Sequence, residues 1–144
     1  MDPILARVAA SFDAQGLMKT LGARLVAAVD GEVRIEMPFS THLSQQLGYL
    51  HAGAVTSIVD SACGYAALTR APEGFEVVTA EFKINLMRPA LGDRFVAIGR
   101  VVSAGRLLTV CTGEVQAWTG AIAKQVALMQ ATIVNVQRSA QTQA

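Results

Sequence analysis

The sequence predicts an α+β domain: a curved antiparallel β-sheet wrapped around one long central helix, with a short helix at the N-terminus. Three observations predict it. Residues 52–69 are apolar around most of a helical circumference, which marks a buried helix. Stretches on both sides of that segment alternate with the period of two expected of half-buried strands. The breaks between those strands are short and rich in Gly, Asp and Pro, so consecutive strands pair antiparallel.

Taken in order, Asp2-Pro3 is a helix start, with the cap before Pro at the first turn. Leu5, Val8, Ala9 and Phe12 then share one face, and Gly16 is the expected stop. Leu21, Ala23, Leu25, Ala27 and Val29 form one alternating series, and Val33, Ile35, Met37 and Phe39 a second. Asp30-Gly31 between them is a strong hairpin signal. Residues 40–50 read as a loop. The buried helix follows over 52–69, its many small side chains allowing other elements close to its backbone. After Pro72 and Gly74, Val78, Ala80, Phe82, Ile84 and Leu86 are expected on one face of a strand, with Thr79, Glu81, Lys83 and Asn85 on the other. Further strands are expected near 94–102, up to Trp118, and up to Val136, separated by turns at 103–106 and 119–120. The core spans about 16–136, and a polar tail, 137–144, is expected to fray. One helix, two strands, a buried helix and four strands make up the arrangement called the hotdog fold.

Composition bounds the function. The 144 residues fit one domain, 1–144. They are 52% hydrophobic and 16% charged, which excludes a disordered chain. A net charge of +1 gives no basic footprint for nucleic acid. So much apolar surface in so small a domain points to a homo-oligomer. No run has the length of a membrane span, and the first residues lack a signal-peptide apolar region, so a cytoplasmic location is expected. Cys63 and Cys111 sit in apolar segments as free core thiols, and with two histidines in the chain no metal site is expected.

Two features carry chemistry. Asp60 interrupts the apolar helix. It could lie on a polar stripe with Thr56, Ser57 and Ser61, accept backbone N–H groups elsewhere, or face a solvent-excluded cleft as base or nucleophile. The approach Gly48-Tyr49-Leu50-His51-Ala52-Gly53 leads into a helix start, whose free N–H groups and partial positive charge suit an oxyanion hole. Ala52 and Asp60 are eight residues apart, about 12 Å at 1.5 Å per residue, so one carbonyl cannot reach both within a single chain. If both serve one reaction, a two-fold dimer must join them.

The segment from Gly48 to Gly53, with Asp60 nine residues after His51 and then Ser61-Ala62-Cys63-Gly64-Tyr65-Ala66-Ala67, resembles the signature of PaaI-type hotdog acyl-CoA thioesterases. Val78 to Ala90 and Val102 to Val110 resemble that family's strands, and the match covers roughly residues 16–135. The resemblance implies hydrolysis of acyl-CoA thioesters, with no cofactor or metal, by a homodimer or a homotetramer built as a dimer of dimers. It gives Asp60 the role of general base or nucleophile and the Ala52 backbone N–H that of oxyanion donor, with Gly53 beside it. His51 supports the carbonyl end or the loop, Gln45 is the amide side chain that holds water or the acid, and Thr79 is the strand hydroxyl. This chain has His-Ala-Gly where the common pattern has His-Gly-Gly; an N–H donor needs only a negative φ at Ala52. Lys83, Arg88 and Arg106 are the candidates for binding the phosphates of CoA. Two other functions fit the residues: an enoyl-thioester hydratase or dehydratase, and a non-catalytic acyl-CoA-binding module.

Overall fold

A computed structural model describes residues 1–138. Helix α1 (Pro3–Asp13) begins as expected: the Asp2 carboxylate caps it by accepting the Ile4 amide at 2.8 Å, and Val8 and Phe12 are buried. Gly16 does not end the N-terminal helical region. It opens a second helix, α2 (Gly16–Leu21), which Gly22 terminates at φ +69°. Leu21, expected in a strand, is therefore the last residue of α2. A helix of six residues is too short to show a period, and its two apolar anchors, Met18 and Leu21, are three apart, as one helical face requires.

Strands β1 (Arg24–Val29) and β2 (Glu32–Pro38) form the hairpin signalled by Asp30-Gly31, with Gly31 at φ +79°. Val33, Ile35 and Met37 are fully buried, as their alternation requires. The 40–50 segment holds a 3-10 turn, Thr41–Leu43. Helix α3 (Ala52–Leu68) is unbroken for 17 residues. Its far end is latched to the hairpin, where the Thr69 hydroxyl accepts the Gly31 amide at 2.9 Å and Arg70 pairs with Asp30.

Strands β3 (Phe75–Leu86), β4 (Arg94–Ala104), β5 (Leu108–Thr119) and β6 (Ile122–Gln137) complete one six-stranded antiparallel sheet in the order β1-β2-β4-β5-β6-β3. The tail expected from 137 onward lies, beyond Arg138, outside the described residues. The sheet curls around α3, and the two surfaces meet most closely at a pair of glycines. Gly99 and Gly113 face one another across β4 and β5. A Cβ at Gly99 would overlap the Ala62 carbonyl, and one at Gly113 would lie 2.6 Å from Val59 Cγ2 and 2.8 Å from Cys63 Sγ. Small residues on both sides therefore set how deeply α3 sits on the sheet.

The expected division of β3 into two faces needs one correction. The register against β6 shifts between Thr79 and Glu81, so Ala80 is the extra residue of a β-bulge. A single inserted residue reverses the parity of everything beyond it. Thr79 pairs with buried Ile133, while Phe82 and Ile84 pair with buried Ala131 and Met129. Thr79 thus shares the helix-facing side with Phe82 and Ile84, not the outer side with Glu81 and Lys83.

Candidate active site

Asp60 lies in the middle of α3, half-buried, where the helix passes β3. The bulge aims Thr79 at it: Thr79 Oγ1 donates to Asp60 Oδ1 at 2.8 Å. Burial pushes the Asp60 carboxyl above the usual carboxylate range, and the Thr79 hydrogen bond partly opposes this. The result is a carboxylate of raised basicity beside an open cleft of about 380 Å³. Around that cleft stand Gln15, Asp60, Ser61, Gly64, Tyr65 and Thr79, among others. The polar stripe weighed from the sequence exists: Thr56, Ser57, Asp60 and Ser61 are all partly exposed along one side of α3. The Thr56 and Ser57 hydroxyls bond back to the Ala52 and Gly53 carbonyls, so within the stripe Asp60 is the ionisable group.

The start of α3 forms a second locus. His51 is its N-cap, and His51 Nδ1 accepts the Gly53 amide at 2.7 Å. The His51 amide in turn donates to the Leu43 carbonyl at 2.8 Å, fixing the loop to the helix start. With the Gly53 amide engaged, the Ala52 amide is the first-turn donor without an acceptor among the described residues. Ala52 is helical, and among the described residues none other than glycine has positive φ, so the condition for Ala in this position is met. Gln45 accepts the Leu47 amide through Oε1 and stands with Tyr49, His51 and Ala52 around a cleft of about 310 Å³. Arg88 lines both this cleft and a neighbouring one of about 450 Å³, its guanidinium donating to the Gln125 carbonyl at 2.7 Å. Lys83 and Arg106 are exposed and border neither cleft.

The structure brings Asp60 together with Thr79, and Gln45, His51, Ala52 and Arg88 together with one another. It does not bring the two groups together. They open into separate clefts, one near the middle of α3 and one at its start. Sequence reasoning missed Ser11, Gln15 and Tyr65 at the Asp60 cleft. They come from elements about 50 residues apart, and no spacing rule links them. Among the described residues, no group of three or more His, Cys, Asp or Glu side chains is placed to hold a metal ion, and no helix is long and apolar enough to cross a membrane.

The model of the thioesterase superfamily matches residues 47–124, a span that takes in Ala52, Asp60 and Thr79. This chain belongs to the thioesterase superfamily. The thioesterase is similar along nearly its whole length to a thioesterase family protein from Silicibacter pomeroyi: the two are 41% identical, with TM-score 0.92, over 94% of this chain and 99% of that one. A protein of Saccharolobus solfataricus with a provisional esterase name is 30% identical over 109 residues, 76% of this chain and 77% of its own. The PaaI protein from the phenylacetic acid degradation operon of E. coli superposes with TM-score 0.82 at 19% identity, over 94% of this chain and 95% of that one, and shares the fold. The thioesterase is therefore a hotdog-fold enzyme, and its reaction class is thioester hydrolysis.

Proposed function

We propose that this enzyme hydrolyses acyl-CoA thioesters at sites shared between two copies of the chain. The Ala52 amide of one subunit receives the thioester oxygen, and Asp60 of the other activates water or attacks the carbonyl itself. The observation that carries this reading is the unbroken helix between them. Eight residues of α3 separate Ala52 from Asp60 by about 12 Å, too far for one reacting carbonyl to touch both. A two-fold axis across the helices removes the gap and creates two equivalent sites.

The sheet edge supports such pairing. β3 is an edge strand with β6 as its one partner, and it leaves Val78, Phe82 and Leu86 exposed at 55%, 44% and 48%. An unpaired apolar edge is a surface that a second strand covers. In the mechanism the helix start stabilises the oxyanion as it forms, and the raised basicity of Asp60 suits proton removal from water. CoA then leaves as thiolate, which needs no strong acid. Arg88, between the two adjoining clefts, is the residue best placed to meet the phosphates of CoA.

Mixing two inactive variants tests the shared site. Asp60→Asn removes the base. Ala52→Pro removes the donor N–H yet suits the first helical position, because His51 before it already has φ −62°, ψ 140°, the conformation proline demands of its predecessor. Re-pairing the two variants restores one intact site in each mixed dimer, about a quarter of wild-type thiol release at random assortment. Mixtures that stay as inactive as their components refute the cross-subunit arrangement.

A further inference from the structure

The cleft beside Asp60 has a floor that catalysis does not explain. Ser61 donates to Gln15 Oε1 at 3.1 Å, Gln15 Nε2 donates to the Tyr65 hydroxyl at 2.7 Å, and Ser11 meets the same hydroxyl at 3.2 Å. Tyr65 is 5% exposed and lines the cleft. Ser11 and Tyr65 own two hydroxyl protons and share one hydrogen bond. One of those protons has no acceptor among the described residues. That proton is available to an oxygen that enters the open cleft, whether of water or of a ligand.

Gly64 is a second, independent observation. It lies four residues after Asp60, on the same side of α3, and lines the same cleft. Glycine weakens a helix interior relative to alanine. At Gly99 and Gly113 neighbouring atoms require it, but a Cβ at Gly64 would meet nothing within 4 Å. No protein group needs this space, and it extends from the reacting carboxylate toward Tyr65. The charged groups around it are Asp60 and Glu76, the latter 3.5 Å from Arg138. Two carboxylates repel an anionic occupant and leave a neutral one unaffected.

We infer that the space over Gly64 receives the acyl group, and that the Ser11–Gln15–Tyr65 cluster selects acyl chains bearing a neutral hydrogen-bonding oxygen about one helical turn (~5.4 Å) from the thioester carbon. This rests on the hydrolytic role of Asp60 and names the substrate class for it. Tyr65 is the specificity residue. Its hydroxyl accepts from Ser11 and Gln15 and donates its own hydrogen to the acyl oxygen, and an alkyl chain makes no use of that donor.

Steady-state thiol release with pentanoyl-CoA, 5-hydroxypentanoyl-CoA and glutaryl-CoA tests the assignment. The wild type is expected to favour the hydroxy substrate over the plain one by about tenfold or more in kcat/KM, and to disfavour the carboxylate-ended one. Tyr65→Phe brings the hydroxy-to-plain ratio close to one. Gly64→Ala raises Tm while raising KM for all three, a combination that a purely structural glycine does not give. Equal use of hydroxy and plain substrates by the wild type, or a ratio unmoved in Tyr65→Phe, overturns the assignment while leaving thioester hydrolysis intact. If no thioester is cleaved, the hydrolytic reading fails on its own. Calorimetric titration with the same compounds then decides the pocket: tighter binding of the hydroxy thioester, lost in Tyr65→Phe, upholds it, and equal binding overturns it.

Discussion

Thr79 holds Asp60 through a 2.8 Å hydrogen bond to one carboxylate oxygen, and both residues line the same cleft. The contact exists because Ala80 bulges out of β3 and turns Thr79 inward. A strand irregularity thereby orients the acid and moderates its basicity.

Replacing Thr79 by Val removes a donor that favours the charged carboxylate, while burial continues to disfavour it. The Asp60 pKa is expected to rise further. The acid limb of the kcat/KM profile, which reports the base of the free enzyme, moves to higher pH, and kcat falls about tenfold or more at neutral pH. An acid limb at its wild-type position contradicts the link.

The same raised pKa predicts a stability effect. A carboxyl that ionises less readily when folded than when unfolded binds its proton more tightly in the native state. Stability is therefore lost as pH rises from the unfolded pKa through the folded one, and the deficit persists above that window. Asp60→Asn removes this deficit and is expected to raise Tm at pH 7 while cutting kcat by about 10²-fold or more. The Tm gain shrinks as pH falls from the raised folded pKa to the ordinary carboxylate range and is gone below it. Parallel thermal melts at pH 4 and pH 8 check the sign.

Deleting the Ala52 N–H with Ala52→Pro is expected to lower kcat by about 10²- to 10³-fold, the usual consequence of losing one oxyanion donor. Because the first helical position tolerates Pro, circular dichroism and Tm stay close to wild type. A variant that retains full turnover removes the helix start from the mechanism.

The two thiols are expected to be inert. Cys63 and Cys111 are buried, Cys111 contacting the Cys63 carbonyl at 3.4 Å. Burial pushes the Cys111 thiol up to about 12 and Cys63 higher still, so thiolate is scarce at neutral pH. Native protein labels with iodoacetamide at neither site, while protein in denaturant labels at both.

Much of this was legible before any coordinates. The Asp30-Gly31 hairpin, the apolar rod after His51 and the alternation of the later strands each follow from a local rule, so element order and fold came directly from them. Ala52 and Asp60 stood out because a carboxylate in an apolar helix and a small-residue helix start are local anomalies. Helix α2 escaped because six residues carry no usable period and Gly16 ordinarily ends a helix. The face of Thr79 escaped because a bulge is decided by pairing with β6, which alternation along β3 cannot register. Ser11, Gln15 and Tyr65 escaped for the same physical reason, since their meeting depends on where α1 docks.

The facing glycines at 99 and 113 fix the depth of the central rod, and with it the height of Asp60, so the proposed base is anchored to a contact where helix and sheet backbones nearly touch. The opposite wall of the cleft includes Ser11, Ala14 and Gln15 of the leading segment, which is seated on the core by buried Val8 and Phe12 and tied down by the Arg7 guanidinium on the Ala71 carbonyl at 2.7 Å. Substitutions at Ser11, Ala14 or Gln15 therefore reshape the cleft while leaving Asp60 and Ala52 as they stand.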